Sequence, residues 1–191
     1  MGKIALVRHG QTDWNRVNRI QGWRDIPLNP EGEKQAVQTA EQLSKLKIDA
    51  VYSSPLRRAL QTAEKIAEKH GLNVMTVEEF KELRQGIWEG LLAAEARERF
   101  PSAYENWLRN PLNCPPPEGE SVEDVRRRVI GAYSAILDKH SEDQTICIVS
   151  HKVVIAIIKC VHENIDLNNI HSLLPENAEW EIINEDFNRS L

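Results

Sequence analysis

Apolar positions follow two rhythms along the chain. Short runs at Lys3 to Val7 and Thr145 to Val149 read as buried strands, and those at Asp49 to Ser53 and Asn73 to Val77 as further strands. Between them the spacing becomes helical. Ala36, Val37, Ala40, Leu43 and Leu46 make one stripe behind an Asn29-Pro30 start, and Ala59, Ala63, Ile66 and Ala67 make another between Pro55 and Gly71. Further helices are predicted over Leu92 to Arg99, over Ala103 to Leu108 and over the apolar stretch Val153 to Val161. Ser121-Val-Glu-Asp124 resembles a capping box, with Asp for the usual Glu, and starts a helix ending near His140. Glu179 to Asn184 reads as a last strand, residues 8–28 as irregular, and Pro111 to Glu118, with four prolines, as loop.

Strands alternating with helices predict an α/β fold, a three-layer sandwich whose mostly parallel open sheet carries helices on both faces. Residues 1–191 are expected to form one domain, with residues 80–120 an irregular excursion over the active site. In such sheets ligands sit beyond the carboxyl ends of the strands. Three of the runs end in polar residues suited to a shared site: Arg8-His9, then Ser54 with Arg57-Arg58, then Ser150-His151. Two histidines far apart in the chain thus occupy the same structural position.

Composition narrows the classes. With 41% hydrophobic and 28% charged residues the chain is that of a soluble folded protein, and its net charge of -5 argues against a nucleic-acid binder. Val153 to Ile158, the longest apolar helical run, is too short to span a bilayer, and no signal region precedes the first strand, so a cytoplasmic protein is expected. Cys114, Cys147 and Cys160 are an odd set without paired spacing; Cys147 and Cys160 read as small core residues rather than disulfide partners or metal ligands.

If Arg8, His9, one of Arg57 and Arg58, and His151 converge, they suit a phosphate. Guanidinium forks match its oxygens and offset its charge. A neutral imidazole is a competent nucleophile, and a second, protonated one stabilises charge on the phosphoryl oxygens. Gly10 would let backbone approach a ligand closely. Taken singly each feature is weak: histidines at strand ends are usually structural and arginines at helix starts usually solvated. His70, His140, His162 and His171 share no spacing and read as structural or surface residues, and no compact metal pattern is present. Spacing alone leaves a phosphate-handling enzyme as the best of several readings.

Resemblance sharpens this. Val7-Arg-His-Gly-Gln-Thr-Asp-Trp-Asn15 resembles the signature of the histidine phosphatase superfamily, in the branch that holds phosphoglycerate mutases and small phosphatases. Ile20 to Leu28, Ser54 to Ala63, Glu82 to Gly90 and Val149-Ser-His151 are similar to its further motifs, in the family's order. The resemblance implies His9 as nucleophile and phosphohistidine, Arg8 and Arg58 as phosphate grips, His151 as the second imidazole and Glu82 as proton donor. It implies Asn15 and Gln21 as further phosphate-binding side chains, a surface position for Arg57 and a loop-holding role for Glu89. No metal and no cofactor are implied. The family usually has glycine after the second histidine; here Lys152 stands there, either adding charge to the site or pointing to solvent.

The implied activity is hydrolysis of small-molecule phosphomonoesters. A bisphosphoglycerate-dependent phosphoglycerate mutase is the alternative, disfavoured by a modest excursion and a short C-terminal tail. A non-catalytic phosphate-binding regulator should lack one of the essential groups, and none is missing. Residues 92–120, with Tyr104 and Trp107, either wall the leaving-group pocket or pack in the core. Partners beyond the substrate are not implied: no nucleic acid, no membrane, and a homodimer only as an option through the edge strand Glu179 to Asn184.

Overall fold

Five of the apolar runs become strands in a computed structural model that describes residues 2–184. They are β1 (Lys3–Arg8), β2 (Ala50–Ser53), β3 (Val74–Thr76), β4 (Thr145–Ser150) and β5 (Trp180–Asn184), in the sheet order β3-β2-β4-β1-β5. β5 runs antiparallel at the β1 edge and the other pairings are parallel, so the fold is α/β with a mostly parallel mixed sheet. The helices are α1 (Asp13–Arg16), α2 (Pro30–Leu43), α3 (Arg57–His70), α4 (Ala93–Arg99), α5 (Pro101–Arg109), α6 (Val122–Leu137) and α7 (Lys152–His162). Single 3₁₀ segments lie at Glu78–Phe80, Gly86–Trp88 and Leu167–Leu173.

Alternation along each strand divides the core. Ala5, Val7, Val51, Cys147 and Val149 pack with Ala40 and Leu43 of α2 and Ala59, Ala63 and Ile66 of α3. Ile4, Leu6, Tyr52, Ile146 and Ile148 face the other way, onto Val125, Val129 and Tyr133 of α6 and Val154 and Ile158 of α7. Both faces of the central strands are therefore dry, as their unbroken apolar runs require. The excursion between β3 and β4 lies on the α6–α7 side, where Trp88, Trp107 and Phe80 sink into the core.

Local chemistry sets the boundaries. The Asn29 side chain accepts the Gly32 N–H at 2.8 Å and Pro30 opens α2; Gly71, with φ of 65°, closes α3 in the left-handed region. Asp124 completes the α6 capping box despite its shorter side chain: it accepts the Ser121 N–H at 3.0 Å, while the Asp124 N–H donates to Ser121 Oγ at 3.1 Å. Several expectations are corrected. Val37 is 47% exposed, because the buried stripe of α2 runs through Ala36, Ala40 and Leu43 and leaves it on the outer face. Leu46 lies beyond the helix end, α3 begins at Arg57 rather than Pro55, and α6 stops at Leu137 short of His140. The irregular stretch 8–28 contains α1, a single turn made by Thr12 as its cap rather than by any apolar stripe.

Candidate active site

The parallel register of β1 and β4 aligns Arg8 with Ser150, so both chains leave the sheet at one level. The His9 N–H donates to the Ser150 carbonyl at 3.0 Å, and the Ser54 N–H, one residue past β2, donates to the Val149 carbonyl at 3.0 Å. Three neighbouring strand ends thereby deliver His9, His151 and the Ser54-to-Arg58 segment to one place. The imidazoles of His9 and His151 stand with ring centroids 5.2 Å apart. With Arg8, Asn15, Gln21, Arg58 and Glu82, His9 lines a pocket of about 400 Å³. His151 is fully buried beneath it.

Each group is held by backbone or by a neighbour. His9 Nδ1 lies 2.7 Å from the Gly10 carbonyl; a carbonyl can only accept, so Nδ1 carries the proton and Nε2 keeps its lone pair. Burial, then Arg58 and Arg8, push the His9 pKa well below the ordinary imidazole range, so the ring is neutral. His151 is depressed in the same way, by burial first and Arg58 next. Its Nε2 lies 2.8 Å from Ser54 Oγ. That oxygen already accepts the Leu56 N–H at 3.3 Å. The hydroxyl proton can point at Nε2, in the tautomer that carries the proton of a neutral His151 on Nδ1.

Among the described residues the arginines have no carboxylate partner at hydrogen-bond distance. Arg8 Nη1 donates to the Pro175 carbonyl at 2.6 Å; Arg58, 1% exposed, donates to the carbonyls of Arg24 at 2.8 Å and Gly22 at 2.9 Å. Desolvation lowers the pKa of Arg58 to about 10, still charged at neutral pH. Arg8 Nε, Arg58 Nε and His151 Nδ1 are buried with no hydrogen-bond partner among the described residues. Donors of this kind suit an anion.

Two amides complete the floor. Asn15 Oδ1 accepts from the Thr12 N–H at 3.0 Å and from Asn177 Nδ2 at 3.2 Å, while Gln21 Oε1 accepts from Thr12 Oγ1 at 3.1 Å. With both oxygens engaged, each amide turns its NH₂ group away from them, and both residues line the pocket. Glu82 Oε1 accepts the Leu83 N–H at 2.9 Å. Its own carbonyl is held by Trp23 Nε1 at 2.7 Å and Arg128 Nη2 at 3.0 Å.

Other expectations fall out differently. Gly10 is required by packing: a Cβ there would lie 2.5 Å from the Gly32 carbonyl oxygen at the start of α2. Tyr104 and Trp107 do not line the pocket. Tyr104 packs on Trp88 with centroids 5.4 Å apart, and Trp107 is a core residue against His171. Of residues 92–120 only Ala93 touches the pocket, whose outer wall comes from Trp14, Asn18, Arg19 and the segment Leu174 to Asn177. Arg57 is exposed, and Glu89 joins two loops by accepting the N–H groups of Trp23 at 3.0 Å and Gln85 at 3.1 Å. Lys152 lines the pocket rather than leaving it. Sequence reading missed Ser54 as a partner of His151 and the whole 174–177 wall; only the serine lay inside a recognisable motif.

A mostly parallel α/β sheet presenting two facing histidines and two buried arginines at its strand ends defines a phosphate-handling enzyme. A family model for the histidine phosphatase superfamily (branch 1) matches residues 4–190. Phosphoserine phosphatase 1 of Hydrogenobacter thermophilus is 35% identical over 191 residues, covering 100% of this chain and 90% of its own. Among solved structures, Bacillus stearothermophilus YhfR superposes with a TM-score of 0.89 at 32% identity, covering 97% of this chain and 92% of its own. A mycobacterial glucosyl-3-phosphoglycerate phosphatase in complex with VO3 gives 0.88 at 33% identity, covering 94% and 91%. The chain belongs to the histidine phosphatase superfamily, branch 1, and is a phosphoric monoester hydrolase.

Proposed function

We propose that the chain hydrolyses small phosphorylated metabolites through a phosphohistidine on His9, with no metal or cofactor. The observation that carries this reading is the state of His9, neutral, with its proton held on Nδ1 by the Gly10 carbonyl and its Nε2 lone pair free between two guanidinium groups. Arg8, Arg58, Asn15 and Gln21 grip the phosphoryl oxygens. The Nε2 lone pair forms the N–P bond as the ester P–O bond breaks and its electrons pass to the leaving oxygen. Glu82 supplies the proton that this oxygen takes. His151, neutral because of its burial and then of the surrounding cations, donates Nδ1–H to the phosphoryl group, whose negative charge favours its further protonation. In the second half, water attacks phosphorus, the N–P bond breaks, and the Glu82 carboxylate takes the proton that water loses.

A phosphomonoester labelled at phosphorus tests this. The wild-type chain is expected to carry an acid-labile label and the His9→Ala chain none; a label that persists without His9 overturns the assignment. Glu82→Gln should slow esters of poor leaving groups about a hundredfold more than p-nitrophenyl phosphate, within the usual range for general acid catalysis. Equal slowing removes Glu82 from the acid role. Primer-dependent interconversion of phosphoglycerates by bisphosphoglycerate, in place of phosphate release, would make the chain a mutase.

A further inference from the structure

Gripping a phosphoryl dianion with two arginines leaves three charged side chains of the pocket outside the mechanism: Arg19, Lys152 and Glu176. Arg19 is engaged, donating to the Gly90 carbonyl and lying over the Trp14 ring, so Lys152 and Glu176 are the two without a partner among the described residues. Neither side chain has a hydrogen bond or ion pair among the described residues, and they do not pair with each other, although each lies close enough to influence the other's field. Lys152 is the first residue of α7, where the helix already presents partial positive charge, and Arg8 is a further cation nearby. A lysine there is unfavourable in the empty pocket. By surface area it is exposed, yet enclosure by the pocket walls lowers its pKa, with Glu82 and Glu176 opposing that shift. Among the described residues nothing pairs with this cation.

Glu176 stands on a fixed wall. Pro175 before it holds Arg8, Asn177 after it donates to the His9 carbonyl at 3.2 Å and to Asn15 Oδ1 at 3.2 Å, and the Glu176 N–H itself donates to Glu179 Oε2 at 2.6 Å. A carboxylate and an ammonium are thus presented, unpaired, above a site whose phosphate charge is already offset. The pocket, at about 400 Å³, has room for a phosphomonoester with a compact leaving group.

We propose that Lys152 and Glu176 select the leaving group, and that the preferred substrate is the phosphomonoester of a small zwitterion, its carboxylate taken by Lys152 and its ammonium by Glu176. A phosphorylated hydroxy-amino acid has this chemistry. The inference rests on the phosphatase reading above.

Four esters separate the charges: O-phosphoserine carries both, 3-phosphoglycerate the carboxylate only, phosphoethanolamine the ammonium only, and glycerol 3-phosphate neither. For the full chain, kcat/KM is expected to rise about tenfold for each charge, the scale of one charge-assisted hydrogen bond. Lys152→Gln should erase the advantage given by the carboxylate and keep that given by the ammonium; Glu176→Gln should do the reverse. Lys152→Arg, which keeps the charge, should restore the carboxylate preference. If Lys152→Gln slows all four esters alike, the lysine serves the transferred phosphoryl group and the inference falls. It falls equally if the wild-type chain treats the four alike while still hydrolysing p-nitrophenyl phosphate. Failure to hydrolyse any of the five would overturn the phosphatase reading itself.

Discussion

His9 and His151 are kept neutral by burial first and then by the guanidinium groups that would bind the substrate, so the free site and the loaded site are different electrostatic environments. One consequence is kinetic. The acid limb of kcat/KM should not fall at the ordinary imidazole value of about 6.5 but well below it, because His9 needs no deprotonation in mildly acidic solution. An acid limb centred at the ordinary value would contradict the burial that lowers it. Ser54 makes the second residue-scale prediction. Ser54→Ala removes the donor to His151 Nε2, and the imidazole then has no partner to choose its tautomer. Loss of that hydrogen bond is expected to cost about 1–3 kcal/mol, roughly a 5- to 150-fold fall in kcat/KM if it is expressed in the transition state. Nitrogen-15 shifts of His151 should report a mixture of tautomers; a single unchanged tautomer would remove Ser54 from the role. The histidines themselves were legible because each follows an apolar strand. Ser54 was legible as a strand-end residue but not as the partner of His151, which lies far along the chain and is joined to it by the pairing of β2 with β4.

Among the elements, one tight constraint lies between the nucleophile loop and α2. Gly10 and Gly32 meet backbone to backbone, and a Cβ on Gly32 would lie 2.0 Å from the Gln11 carbonyl oxygen. Gly10→Ala is therefore expected to destabilise the fold by about 1–3 kcal/mol and to displace His9, seen as a lower melting temperature together with reduced kcat. Arg128 of α6 acts on the other side. Its guanidinium donates to the carbonyls of Glu79, Lys81 (2.7 Å) and Glu82 (3.0 Å) while pairing with Glu120 at 2.9 Å. Such a fork cannot be replaced by a point charge. Arg128→Lys should slow esters of poor leaving groups more than p-nitrophenyl phosphate, the pattern of a misplaced Glu82; uniform slowing would mean a general loss of structure. These links explain what pattern reading missed. The strand–helix alternation is written in apolar periodicity, but the 174–177 wall has none. Its position depends on hydrogen bonds to Arg8, His9 and Asn15, which no local pattern announces. Tyr104 and Trp107 could not be assigned from sequence because aromatic residues suit a core and a pocket equally; packing against Trp88 and His171 decides it.

At the scale of the molecule the same two histidines link folding to pH. Their folded pKa values lie below the unfolded value, so the unfolded chain binds protons that the folded chain refuses. Stability from this source is present above about pH 6.5 and is lost as pH falls through the unfolded value, by up to about 1.4 kcal/mol per pH unit for each histidine. Thermal melts between about pH 7 and pH 5 should show this decline, and His151→Asn should lessen it. Inorganic phosphate should lessen it too, by favouring the charged rings. A melting temperature flat over that interval would mean the rings are not held neutral.

The seating of β1 beside β4 also has a consequence for where the chain can be divided. One segment brings Arg8, His9, Arg58 and Glu82, a later one brings His151, Lys152 and Glu176, and the proline-rich loop 111–118 lies between them. A cut there yields halves that each hold an incomplete anion cradle, so catalytic turnover would return only upon their reassociation and would serve as a direct gauge of it.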